Sequence, residues 1–211
     1  MRVPLVVQLA VASQGMPLVA AAVAQRSVRG ARTWALGWCL FLLAGDLVGR
    51  LPAQHGAPNL WLDYWLVPAG CVLALWTLSF WQQGDVARLT FRIATVPLVL
   101  VWVVLTVALE DTSNFSRAAE PTAKLITHGA AAFTLVAGSV RAHGDLLRAD
   151  WFWVSAGMAL YFGASSALGP LSALLVGSDV PLLVRAYEVK AILDILAFVL
   201  IARGVTCPTA T

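Results

Sequence analysis

Charge is what this chain has least of. Asp, Glu, Lys and Arg make up only 12% of its 211 residues, about half the ~25% of a soluble domain, and too few to clothe a water-facing surface. Lysine is scarcer still. Of 14 basic residues 12 are Arg, and the two lysines are Lys124 and Lys190. The arginines are scattered over short connections and form no patch, which excludes nucleic acid as a partner. Cys39, Cys71 and Cys207 have neither CxxC nor metal-ligand spacing, so a disulfide framework and a zinc site are excluded. The first two lie in apolar stretches, as small buried residues do. Of three scattered histidines only His128 is well inside an apolar stretch, so no haem-ligating pair is available. There is no Walker loop, GxGxxG, HExxH or GxSxG, and Gly169-Pro170-Leu171-Ser172 is not a nucleophile elbow. No reaction can be read from these residues, and no catalytic or metal-ligating set is expected.

Hydrophobic residues, by contrast, make up 60% of the chain, with nine Trp suited to interfacial belts. Seven stretches have the ~17–25 residues that a ~30 Å hydrocarbon core demands. They run over about 4–24, 33–51, 61–81, 89–109, 123–140, 151–176 and 182–202. Backbone groups in lipid must be satisfied within the segment, so these are helices. The fold class predicted is all-α: one polytopic, seven-helix membrane domain over residues 1–211. Arg2 before an apolar run and Leu9-Ala10-Val11-Ala12-Ser13 resembles a signal peptide, but the run continues to Val23, which favours an uncleaved first span. Pro68, Pro97 and Pro170 should kink the third, fourth and sixth spans. The glycines of the sixth span, Gly157, Gly163 and Gly169, let a neighbour approach closely. The polar run Glu110–Pro121 reads as an exposed loop, with Asn114-Phe115-Ser116 matching a glycosylation sequon.

Arginine and lysine counts set the orientation. One side collects Arg26, Arg29, Arg32, Arg88, Arg92, Arg141, Arg148 and Arg203, eight in all; the other has Arg2, Arg50, Arg117, Lys124 and Arg185, which is five. The bias predicts an outer N-terminus and a cytoplasmic C-terminus in a bacterial inner membrane.

The last span is long enough to cross a bilayer yet contains Arg185, Glu188, Lys190 and Asp194. A charge at mid-depth costs at least ~2.5–3.5 kcal/mol on insertion scales, so such groups persist only where they are paired or used. Tyr187, Lys190, Ala191 and Asp194 share a face at i, i+3, i+4 and i+7, which allows Lys190 to pair with Asp194; Arg185 and Glu188 can pair on an adjoining face. Other spans offer polar groups to the same outer layer: Gln8, Asp46, Asp63 with Tyr64, His128, and Tyr161 with Ser165 and Ser166. The candidate ligand-binding residues are therefore Lys190, Asp194, Tyr187, Glu188, Asp46, His128, Tyr161 and Asp63, around a polar cavity in the outer half. The competing reading is a set of hydrogen-bonded ties between helices, with Asp63 in the interface and His128 bonded to a carbonyl.

Three resemblances bear on this. A lysine in the seventh span, with Asp63-Tyr64-Trp65-Leu66-Val67-Pro68 in the third, is similar to retinal-binding rhodopsins, and implies retinal on Lys190 with Asp63 as counter-ion; the sixth span lacks the matching Trp and Pro arrangement. Gly45-Asp46 resembles the lysoplasmalogenase-like membrane hydrolases, whose further aspartates and eighth helix are missing here. The broadest likeness is to a family of uncharacterised bacterial seven-helix membrane proteins, some similar to the membrane halves of sensor kinases. It rests on Asn59-Leu60-Trp61-Leu62 leading to Pro68, on Trp151-Phe152-Trp153-Val154-Ser155-Ala156-Gly157 with Tyr161, and on Val189-Lys190-Ala191-Ile192-Leu193-Asp194-Ile195-Leu196. The family usually has His and Asn where Lys190 and Asp194 stand, and a carboxylate where Ala69 and Gly70 stand. The likeness implies the seven-helix architecture and little of the function; with the outer layer of polar groups it motivates a membrane receptor or sensor-like binding protein, which needs a separate membrane or cytoplasmic partner besides the bilayer. An accessory subunit and an intramembrane enzyme or transporter are the alternatives.

Overall fold

A computed structural model describes residues 4–24, 29–54, 59–110, 114–142, 145–175 and 179–207. Among these residues all regular structure is helical. The helices are α1 (Leu5–Ser13), α2 (Met16–Val23), α3 (Ala31–Gln54), α4 (Leu60–Ser79), α5 (Asp85–Ile93), α6 (Thr95–Leu109), α7 (Ala119–Arg141), α8 (Asp150–Ser166), α9 (Leu168–Leu175) and α10 (Val180–Thr206), with one 3-10 turn at Leu146–Arg148. Five segments are long and apolar enough to cross a membrane: Ala31–Arg50, Leu60–Ser79, Asp85–Leu109, Ala119–Arg141 and Asp150–Leu175. The α1–α2 pair makes a sixth if its 45° bend lies within one span. The predicted seventh, α10, has the length, at 27 residues, but its charges keep it from qualifying on apolarity. Arg2, Arg26 and Val176 lie outside the described residues.

Three interruptions have one cause. Helices α1, α5 and α8 end at Ser13, Ile93 and Ser166, each four residues before a proline, namely Pro17, Pro97 and Pro170. Proline has no N–H to offer the carbonyl four residues back, and its ring pushes that carbonyl aside. The breaks expected from Pro97 and Pro170 are thus present, and Pro17 adds one that was not anticipated. At Pro68, by contrast, α4 continues as one helix.

The spans close into a ring. The α1–α2 pair packs on α10, α10 on α8, α8 on α7, α7 on α4 and α6, α4 on α3, and α3 back on α2. At one end Arg32 of α3, only 5% exposed, reaches Asp150 of α8 at 2.8 Å. At the opposite end the Asn59 amide donates to the Gly49 carbonyl at 2.9 Å. The centre is aromatic: fully buried Trp38 meets Tyr161 edge-on at 5.4 Å and stacks on Phe198 at 6.1 Å. Several buried hydroxyls on the helices serve their own backbone. Thr77, Thr127, Thr134 and Ser172 each donate to the carbonyl four residues back, which satisfies them where water is excluded.

Helices α8 and α10 approach each other closely. A side chain at Gly157 would place Cβ 2.6 Å from the Ala197 carbonyl oxygen. One at Gly204 would lie 2.6 Å from Val154 and 3.1 Å from the Asp150 carbonyl oxygen. Two glycines, one on each helix, therefore seat this pair at two heights.

Candidate functional site

The polar groups gather at the end where α6 runs into α7. Lys190 donates to Asp194 Oδ2 at 2.5 Å, the i,i+4 pair expected from spacing. Its ammonium also lies over the Tyr161 ring, 5.5 Å from the centroid. Asp194 is 6% exposed, and its other oxygen, Oδ1, is buried without a partner. Across from it, Gln14 Nε2 donates to Asp46 Oδ2 at 2.5 Å. Gln14 stands in the break between α1 and α2, so Pro17 opens the helix where this amide enters the bundle.

These pairs belong to one electrostatic neighbourhood. Asp194 feels Lys190, Lys124 and Asp46. Asp63 feels Glu120, Lys124, Asp46 and Lys190. Glu120 and Lys124, one turn apart on α7, form an ion pair. Both lysines of the chain therefore lie in this cluster, among the carboxylates of Asp46, Asp63, Glu120 and Asp194. Lys124 corrects the reading of it as a loop charge: α7 begins at Ala119 rather than near Ala123, and the Lys124 side chain is only 12% exposed.

Burial shows where the bundle opens. Asp46 follows Ala35 and Cys39 on one face of α3, at eleven and seven residues' distance, and both of those are fully buried. Asp46 itself is exposed. Asp63 shares a face of α4 with Gly70 and Ala74, both buried, and is also exposed. On α10 the inward face runs from buried Asp194 through Lys190, 22% exposed, to half-buried Tyr187 and exposed Val180. Inward faces sealed through the middle of the bundle are thus open near this end. A cleft there is lined by Asp63, Tyr64, Trp102, Asn114, Ser116 and Glu120, with about 10 Å³ of water-accessible space, enough for about one water.

The remaining predicted residues are less committed. His128 Nδ1 donates to the Ala159 carbonyl at 2.8 Å, a tie between α7 and α8. The Tyr187 hydroxyl bonds to Ser172 Oγ at 3.2 Å, joining α10 to α9. Glu188 is half-buried and Arg185 exposed; the ion pair expected between them does not form. Among the described residues no three His, Cys, Asp or Glu converge as a metal site.

The residues missed by sequence reading are Gln14, Glu110, Glu120 and Lys124. Glu120 and Lys124 carry a signal, the i,i+4 opposite-charge spacing. Glu110 carries none, because its partners follow a loop. The start of α7 has Ala118 in the capping position, with no side chain able to cap. Glu110 Oε1 takes over, accepting from the Ala118 and Ala119 amides at 2.7 and 2.8 Å and from the Ser116 hydroxyl at 2.8 Å. Part burial works against ionisation of Glu110, but these donors outweigh it and hold the carboxyl below its ordinary value.

A pKa depressed in the folded state gives stability that is present above the unfolded value, about 4.3 for Glu, and is lost as pH falls through the folded value. Glu110→Gln is expected to cost about 1 kcal/mol at neutral pH, the worth of a helix cap. It should also flatten the melting temperature between pH 5 and the acid limit. Thermal unfolding of both proteins as a function of pH checks this; parallel curves would show that the cap does not titrate.

No known protein-family model, curated protein or solved structure matches this chain. The fold and composition define the class, a polytopic helical membrane protein, and the site alone must carry the functional argument.

Proposed function

We propose that the chain is a seven-span receptor or sensor-like binding protein of a bacterial inner membrane. Its N-terminus lies outside, and a polar cavity in the outer half takes a small ligand. Helix α10 supplies the seventh span, its charges turned to partners rather than lipid. Lys124 and Arg32 are both buried in ion pairs, and without them the basic residues number seven against four, which keeps the positive-inside bias. The observation that carries the reading is the exposure of Asp46 and Asp63 on faces of α3 and α4 that are buried through the middle of the bundle, at Ala35, Cys39, Gly70 and Ala74. A set of purely structural ties would be sealed like the rest of those faces. Because the site is built on α10, which runs the full depth of the bundle, a separate partner at the Arg32–Asp150 end would receive the change.

Thermal unfolding of purified protein against a panel of small polar metabolites tests it. A ligand present at about 100 times its Kd should raise the melting temperature of the wild type by roughly 5 °C, and that of Lys190→Ala by much less. Identical responses of the two proteins throughout the panel would end the proposal.

One observation favours transport as a second reading. Discontinuous spans with a polar residue at the break are how transporters build substrate and ion sites, and Gln14 occupies such a break. Flux into liposomes containing the protein decides between the two.

A further inference from the structure

The cluster has more carboxylates than ammonium groups, and its positive charges are already spoken for. Lys190 is held by Asp194 and Lys124 by Glu120. Asp46 and Asp63 form no ion pair among the described residues; Arg50, one turn beyond Asp46 on α3, is exposed and pairs with neither. Arg185, the other basic residue of outer α10, lies nine residues before Asp194, two and a half turns back at 3.6 residues per turn, so it points away from this face.

Two buried acceptors of the cluster are unsatisfied. Gln14 and Asp194, each 6% exposed, leave Gln14 Oε1 and Asp194 Oδ1 buried without a donor. The amide orientation is fixed by chemistry, because its NH2 must face the Asp46 carboxylate and its carbonyl must then face away. Asp46 holds Gln14 directly, and α1 and α2, which flank Gln14, both pack on α10, the helix that carries Asp194. A buried acceptor without a donor is costly, and two in one neighbourhood ask for one positively charged or proton-donating group. The buried donors without a partner on α3 and α8 are Trp38 Nε1, walled in by the rings of Tyr161, Phe162 and Phe198, and the Ser155 and Ser165 hydroxyls, and none of them is hydrogen-bonded to either acceptor.

We propose that this neighbourhood binds a small monovalent cation, an alkali ion or a protonated primary amine, through Asp194 Oδ1, Gln14 Oε1 and the Asp46 carboxylate. A divalent metal fits less well, since no three metal-ligating side chains converge there among the described residues. An anion would meet two carboxylates before any free ammonium. This inference rests on the binding-cavity reading and adds the sign and size of what enters.

The experiment is a thermal-unfolding titration of the full chain in a zwitterionic detergent at constant ionic strength. Sodium, potassium, methylammonium and choline chlorides are each exchanged against N-methylglucamine chloride, with sodium acetate and sodium phosphate as anion arms. At least one small cation is expected to stabilise saturably, while choline, too large, does not; sodium against methylammonium separates an alkali ion from an amine. Asp194→Asn should abolish the response, and Gln14→Leu should weaken the apparent Kd by about tenfold, the loss of one hydrogen-bonding acceptor. If Asp194→Asn does not fold, Gln14→Leu decides, and an unchanged Kd in that variant overturns the proposal. A response that follows the anion and not the cation overturns the proposed sign while leaving a binding cavity in place. No response to any arm, together with a silent metabolite panel, removes both.

Discussion

Lys190→Met is expected to lower the stability of the purified protein by about 3 kcal/mol, while Lys190→Met combined with Asp194→Leu lies within about 1 kcal/mol of wild type. The asymmetry follows from burial. Asp194 is 6% exposed and has one protein partner, Lys190, on Oδ2 and none on Oδ1. Removing the ammonium strands a carboxylate in a medium that solvates it poorly, and removing both charges replaces an expensive pair by ordinary packing. Unfolding by a denaturing detergent, read by Trp fluorescence, measures both variants. A single variant as mild as the double one would mean that water reaches Asp194 freely. The double variant also separates stability from function, since it should fold and yet respond to no ligand.

Gly157→Val is expected to be at least as damaging, at roughly 3 kcal/mol or more, near the upper end for overpacking. The added carbon meets the Ala197 carbonyl oxygen and Ile201 Cγ1, both at 2.6 Å. The first is backbone in the middle of α10 and cannot rotate aside, so the helices must part. Gly129→Ala on α7 is the control: nothing lies within 4 Å of a Cβ there, and the better helix propensity of Ala should leave stability equal or up to about 1 kcal/mol higher. If both changes are equally mild in the same detergent assay, the α8–α10 seam is looser than described.

The helical class was legible because apolar runs of bilayer length have one backbone solution. Helix breaks at Pro97 and Pro170 could be read from proline chemistry, and Pro17 obeys the same rule. The Lys190–Asp194 pair was legible for a local reason: its members are one turn apart on one helix. The rest of the site was not, because it depends on which helices become neighbours. Gln14 meets Asp46 only because the α1–α2 pair and α3 close the ring. Glu110 caps α7 from across a loop, and no spacing rule reports that. Lys124 was misplaced for a subtler reason. Hydropathy put the start of its span at about 123, whereas the ion pair with Glu120 lets the helix begin a turn earlier with both charges inside it. Arg185 and Glu188 had suitable spacing for a pair and did not make one; Arg185 is exposed and Glu188 half-buried.

The glycine seam has a mechanical consequence. Where backbone lies against backbone at two heights, α8 and α10 cannot slide or roll separately, so they turn together as a lever. Its near arm holds Lys190 and Tyr161; its far arm ends at Asp150, latched to Arg32 of α3. In the proposed sensor, torque applied beside Lys190 would be delivered to that latch, about 17 to 21 Å away at 1.5 Å per helical residue, instead of being absorbed along the way.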